Sequence, residues 1–223
     1  MALRLAEVEP RDYVYVCTPT GNEPPAMFRH WQHLSTLLGR PLTPIVAGSL
    51  VGLIERQQAL PNWRQRWCTR MLKIEPYAAF LASQGACVSY VGLRADEPER
   101  AGGDYLAIPG VASRFPMREW GWTITDVVRY LADRGVVIPE RTDCALCFFQ
   151  RLHEWYALWR DDPAAWAEGE RLESLTGHTF RSPGRDAWPA AMQDLRRQFE
   201  QGQIPRGTER DLFASLQCRV CRL

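Results

Sequence analysis

Apolar and polar positions follow a mixed strand and helix rhythm in the first part of the chain and a purely helical one in the rest. Between Met1 and Glu9, Ala2, Leu5 and Ala6 share one helical face, Pro10 stops the run, and nothing ahead of it can act as an N-cap, so the segment reads as the end of a helix. Tyr13 to Cys17 is a compact aromatic and β-branched run, the pattern of a buried strand. The turn-forming stretch Thr18-Pro19-Thr20-Gly21-Asn22-Glu23-Pro24-Pro25 then leads into a helix from Ala26 to Leu38. Further strands are expected at Leu42 to Val46 and Cys87 to Val91, with helices at Ile74 to Ser83 and Thr125 to Arg134, the latter carrying Asp126 in its first turn. Strands alternating with helices predict an α/β fold with a parallel, doubly wound sheet. From Thr142 onward the rhythm changes: Phe148, Leu152, Trp155 and Trp159 fall on one helical stripe and Trp188, Met192, Leu195 and Phe199 on another. The expected organisation is an α/β domain over 1–140 and a mostly helical, cysteine-bearing subdomain over 141–223.

Composition narrows the function. With 223 residues, 46% apolar and 24% charged, the chain can bury a sizeable core. Lys plus Arg is 27 against 26 Asp plus Glu, a net charge of +1, so bulk electrostatics do not attract nucleic acid or an anionic membrane, and anion binding has to be local. The least polar stretch, Pro44 to Ile54, is broken by Gly48, Ser49 and Gly52 and falls short of the roughly 20 residues that cross a bilayer. The first residues lack the pattern of a secretory signal, so a cytoplasmic setting is expected, in which seven cysteines point to metal or reactive thiol chemistry rather than disulfides.

The cysteines carry the sharpest signal. Cys144-Ala-Leu-Cys147 and Cys218-Arg-Val-Cys221 are two C-x-x-C pairs, a spacing that turns both sulfurs of a pair toward one ion or cluster. The stretch 148–217 between them is several times longer than the roughly 15 to 20 residues of a zinc ribbon, so the fold has to bring the tail back to residue 144. A tetrathiolate set suits zinc and an iron–sulfur cluster alike. Cys17 and Cys87, inside apolar strand-like runs, read as core. Cys68 lies in Trp63-Arg64-Gln65-Arg66-Trp67-Cys68-Thr69-Arg70-Met71-Leu72-Lys73, where four cationic side chains are expected to lower a thiol pKa or to hold an anion. The four histidines have no ligand spacing.

Taken in order, several motifs are similar to those of the phosphoadenosine phosphosulfate reductase family. They are Thr20-Gly21-Asn22-Glu23; Trp67-Cys68-Thr69-Arg70-Met71-Leu72-Lys73-Ile74-Glu75-Pro76; Val91-Gly92-Leu93-Arg94-Ala95-Asp96-Glu97-Pro98-Glu99-Arg100; and Pro116-Met117-Arg118-Glu119-Trp120-Gly121-Trp122-Thr123-Ile124-Thr125-Asp126-Val127-Val128, followed by the first C-x-x-C pair. The resemblance runs over roughly residues 1 to 150. It implies an adenine nucleotide α-hydrolase-like fold, in which a Ser-Gly-Gly-x-Asp-Ser loop after the first strand cradles phosphates at a helix N-terminus. That loop is absent from the sequence, and Met1 to Glu7 resembles the helix that follows it in the family. A late start, a fragment and a loop supplied by a partner all remain open.

The resemblance further implies an adenine nucleotide or sulfonucleotide as substrate, a protein reductant as partner, and an iron–sulfur cluster, 4Fe–4S, or zinc held by Cys144, Cys147, Cys218 and Cys221. Cluster-bearing reductases have two adjacent cysteines where this sequence has Trp67-Cys68, and the family's Glu-Cys-Gly tail is replaced by Gln217-Cys218-Arg219-Val220-Cys221. That ending is closer to relatives that modify DNA or transfer sulfur, so five cysteines, Cys68 among them, compete for four positions. In an α/β sheet, ligands lie beyond the carboxyl ends of the strands, which assigns Thr20, Gly21 and Glu23 to the same rim as Gly92, Arg94, Glu97 and Arg100. Arg70, Lys73, Arg94 and Arg100 are the candidates to neutralise phosphate or sulfate, Gly92 to allow close backbone approach, Glu23 and Glu97 to hold a ribose or a metal, and Cys68 to act as catalytic thiol. The expected activity is sulfur reduction or transfer on an adenine nucleotide. The alternatives are sulfur modification of DNA or tRNA, and a non-catalytic metal-binding scaffold.

Overall fold

Two short parallel strand pairs form the first part of the molecule. In the computed structural model, which describes residues 1–100, 102, 107–139 and 141–206, β1 (Tyr15–Cys17) pairs with β2 (Leu42–Pro44) in the register Tyr15 to Leu42. Strand β3 (Cys87–Tyr90) pairs with β4 (Val111–Arg114) in the register Cys87 to Val111. The protein is thus a mixed helix and strand fold with parallel pairing. Helix α1 (Ala2–Val8) precedes β1 and has no side-chain N-cap, and α2 (Pro25–Leu38) lies between β1 and β2 with proline at its first position and Gly39 in the left-handed conformation at its end.

The two pairs are separate. Between β1 and β3 lies a cleft of about 720 Å³, lined by both strands, by the start of α1 and by helix α5 (Glu75–Ser83). Two apolar side chains on its walls, Val14 and Val88, are 63% and 45% exposed. Backbone alternation sends the N–H and C=O of neighbouring residues to opposite edges. Cys17 C=O meets Ile45 N–H of the β2 side, and Cys87 N–H meets Gly110 C=O of the β4 side. The backbone groups of Val16 and Val88 therefore point away from their partner strands.

Helix α3 (Leu50–Gln57) was not legible as a helix, because Gly48 and Ser49 read as breakers of an apolar run. They are instead its start: Ser49 Oγ accepts the Gly52 N–H at 3.1 Å, capping a helix whose Leu50, Leu53 and Ile54 are buried. Next, a short helical turn α4 (Trp67–Thr69), a π-helical turn (Arg70–Ile74) and α5 run on without a break. Pro76 has no N–H to offer the Leu72 carbonyl four residues back and would clash with it. The wider turn falls on that stretch, with Glu75 N–H bonding to Arg70 C=O. Helix α6 (Pro116–Glu119) follows β4, and α7 (Ile124–Ala132) opens with a capping box in which Asp126 accepts from Thr123 N–H at 2.9 Å and Thr123 Oγ1 at 2.7 Å.

Beyond residue 141 the described chain is helical, with α8 (Leu152–Asp161), α9 (Pro163–Thr176) and α10 (Met192–Glu200). Trp155, Met192, Leu195 and Phe199 of the expected stripes are buried, and Leu152, Trp159 and Trp188 pack against them. This core also contains Leu50, Leu53 and Ile54 of α3, Leu60 and Leu72, so the helical part packs on the α3 to α5 segment.

Candidate functional site

The turn at 20–23 is closed by its own carboxylate. Glu23 Oε1 accepts from both Thr20 N–H and Thr20 Oγ1, each at 2.7 Å, and Gly21 adopts φ +68° between them. Thr20 is 2% exposed, and its carbonyl accepts the Leu50 N–H at 2.7 Å, which fixes the turn to the start of α3.

The first C-x-x-C loop docks on this turn. Asn22 receives two of its amides, Ala145 N–H on the main-chain oxygen at 2.6 Å and Leu146 N–H on Oδ1 at 2.8 Å. Thr20 Oγ1 lies 3.1 Å from Cys144 Sγ. Because the single hydroxyl proton of Thr20 is directed to Glu23, the thiol is the donor in that contact. Behind the loop, buried Gln150 donates to the Ala145 carbonyl at 2.5 Å, and Arg141 bridges the Cys144 carbonyl at 2.8 Å and Gln150 Oε1 at 2.9 Å.

The third element is the segment around the π-helical turn. The charge of Lys73 acts on both Cys68 and Cys144 in the direction of thiolate, while Cys68 opposes the ionisation of Cys144. Burial nonetheless wins at every one of these sulfurs. It raises Cys144, pushes Cys147 up to about 12, and raises Cys68 against the opposing influence of Thr69, Lys73 and Arg66. The expectation that the cationic neighbours lower the Cys68 pKa is therefore corrected. Half-burial outweighs them, and the thiol is not pre-ionised. The Glu23 carboxylate acts on Cys144 in the same direction as burial, and its Oε2 is buried with no hydrogen-bond partner among the described residues.

The remaining candidates make other contacts. Glu97 is 3% exposed and is an internal clamp: it accepts Arg94 N–H at 3.1 Å and pairs with the Arg94 and Arg100 guanidinium groups at 3.5 and 3.3 Å. Arg94 also holds Asp96 at 2.8 Å, and Arg118 donates to the carbonyls of Arg94, Glu97 and Arg100. Gly92 lies on the cleft between β1 and β3, next to Met117 and Met1. Arg70, 65% exposed, opens onto a groove with Gln57, Gln65, Arg66 and Trp67 and faces Glu75 at 3.5 Å. Cys17 and Cys87 are half-buried and line the cleft.

Cys144 and Cys147 supply two thiols from one loop. Among the described residues, no group of three or more His, Cys, Asp or Glu side chains converges in a way that could hold a metal ion. Cys218 and Cys221 lie outside the described residues. The donor chemistry at 144 and 147 fits half of a tetrathiolate set: a cation bound there would hold as thiolates two sulfurs that burial keeps protonated. Sequence reasoning missed Asn22 and Gln150, which seat the loop. The one available signal was an asparagine inside a Gly-x-Glu turn.

Comparison with protein-family models, with curated proteins and with solved structures finds no match for this chain. No helix among the described residues is long and apolar enough to cross a membrane.

Proposed function

We propose that the chain is a phosphoadenosine phosphosulfate reductase-like enzyme that reduces or transfers sulfur on an adenine nucleotide in the cytoplasm, next to a cysteine-held metal centre. The observation that carries this reading is the meeting of three motifs far apart in sequence. The Thr20–Glu23 turn touches Cys144 at 3.1 Å, and Lys73 and Cys68 of the π-turn segment act on the same sulfur. On this reading Cys144, Cys147, Cys218 and Cys221 would hold an iron–sulfur cluster or zinc, which would supply electron transfer or sulfur binding. Cys68, beside Lys73, is the thiol presented to the substrate. Arg70 and Lys73 would neutralise its anionic end. Arg94 and Arg100 serve the nucleotide only by exchanging Glu97 for it, since that carboxylate holds both.

The doubly wound sheet belongs to the same proposal. A strand seated between β1 and β3 joins the two pairs in the order β2, β1, inserted strand, β3, β4, and a phosphate loop at its end opens toward Met1 and Gly92, which already line the cleft. The unpaired strand edges and the exposed Val14 and Val88 support it.

The test uses the chain extended ahead of Met1 by an apolar strand and a Ser-Gly-Gly-x-Asp-Ser loop, incubated anaerobically with phosphoadenosine phosphosulfate and a dithiol protein reductant. The expected result is nucleotide binding and sulfite release, both reduced by Arg70→Ala and the release abolished by Cys68→Ser. Absence of nucleotide binding and turnover in both the extended and the unextended chain would replace the enzyme by a metal-bearing scaffold.

A further inference from the structure

The segment between α3 and α4 forms a cationic and aromatic surface that the sulfur chemistry leaves unused. A tight turn presents its tip: Asn62 and Gln65 exchange backbone hydrogen bonds at 3.2 Å in both directions, and Asn62 Oδ1 accepts Arg64 N–H at 2.9 Å and Gln65 N–H at 3.0 Å. At this tip Trp63 is 47% exposed, with the Arg64 guanidinium stacked over its ring at 4.5 Å. An exposed tryptophan held on a hydrogen-bonded turn has little conformational freedom left to lose on binding a flat partner.

Four arginines belong to the same stretch of chain. Arg64 and Arg70 are exposed, Arg56 ends α3 exposed, and Arg66 lies over the Phe149 ring at 5.7 Å. Among the described residues, Arg56, Arg64 and Arg66 make no ion pair, and Arg70 meets only Glu75, at 3.5 Å. Arg66 Nε is buried with no hydrogen-bond partner among the described residues, and Arg66, together with Arg70, Trp67, Gln57 and Gln65, lines a groove of about 470 Å³. A chain of net charge +1 thus concentrates unneutralised guanidinium groups around one flat aromatic side chain.

We infer that this surface binds single-stranded nucleic acid, with the phosphates on Arg56, Arg64 and Arg66 and an unstacked base on Trp63. Guanidinium groups suit phosphate through bidentate hydrogen bonds, and the side of the exposed indole that Arg64 does not cover suits any unpaired base, whereas the bases of a duplex are already stacked. The inference rests on this surface alone and does not require the nucleotide reading above. Phe149, under Arg66, lies two residues beyond Cys147, so a bound strand runs past the cysteine loop.

The experiment is fluorescence anisotropy of the full chain with labelled oligo(dT) and oligo(rU) of about 15 nucleotides, the upper end of common site sizes. The expected result is saturable binding of both. Its logarithm should fall against log salt with a slope near −2, about −0.7 for each of three phosphates. Trp63→Ala should weaken binding on the order of tenfold and Trp63→Phe should largely restore it. Arg64→Glu should weaken binding and flatten the salt slope. Both positions are exposed, and unchanged circular dichroism keeps the variants interpretable. Equal or tighter binding of the matching duplex, affinity indifferent to salt and to both substitutions, or retention by anionic phosphatidylserine vesicles without oligonucleotide binding would each overturn the inference.

Discussion

Thr20 offers one hydroxyl to two neighbours, giving its proton to Glu23 and taking the contact of Cys144 at 3.1 Å. Thr20→Val keeps the shape and the backbone bond to Glu23 but removes the hydroxyl donor to that carboxylate and the acceptor for the Cys144 thiol in a buried place, so it should lower unfolding stability in urea by about 1–3 kcal/mol, while Thr20→Ser should stay near wild type. Glu173 makes a second prediction. It is 8% exposed, accepts Phe180 N–H at 2.9 Å and Met192 N–H at 2.7 Å, and burial raises its carboxyl to about 7. Below the unfolded value of 4.5 both states carry the proton and the contribution is fully present; from there to about 7 only the unfolded state ionises, so stability falls as pH rises through that window. Glu173→Gln should flatten the pH dependence of unfolding over the same range, removing a slope worth on the order of 2–3 kcal/mol. An unchanged slope would assign the titration elsewhere. At this scale the sequence was informative about identity and poor about pairing. Thr20, Glu23 and Cys144 were all legible as candidates, but no local pattern joins residue 20 to residue 144, and the protonated state of Cys68 follows from burial that its cationic neighbours conceal.

Helices with a strong apolar stripe were legible because one side faces a core, as with α8 and α10. The elements that escaped lack that signal. Helix α3 begins at a glycine and serine that look like a break until the Ser49 cap is seen, and β4 is four residues long, Val-Ala-Ser-Arg, with no strong alternation. The π-helical turn has no periodicity of its own and follows from where Pro76 falls. Contact between elements also depends on single small residues. A Cβ on Gly169 of α9 would come within 2.5 Å of Met192 Sδ in α10 and 2.8 Å of Leu146 Cδ2 in the C-x-x-C loop. Gly169→Ala should therefore destabilise by about 1–3 kcal/mol despite the better helix propensity of alanine, measured by chemical denaturation. A neutral or stabilised variant would mean that the Met192 and Leu146 side chains move aside at little cost.

Two strand pairs of three and four residues are short for sheets that stand alone, and each leaves an edge on the same cleft. The alternation of strands and helices along the sequence was legible, whereas the division into two pairs was not, because pairing partners are a property of the assembled molecule. If the cleft receives a strand, the chain extended ahead of Met1 should melt several degrees higher than the chain without the extension, about 4 °C for each kcal/mol gained. An equal or lower melting temperature would count against a single sheet.

On the proposed reading, Cys218 and Cys221 complete a metal centre with Cys144 and Cys147. X-ray absorption on anaerobically purified protein tests it most directly. The predicted result is iron or zinc surrounded by four sulfurs at about 2.3 Å, with the metal lost on Cys144→Ser and equally on Cys218→Ser. A metal-free protein, or a metal retained with its sulfur shell unchanged in both variants, would contradict it.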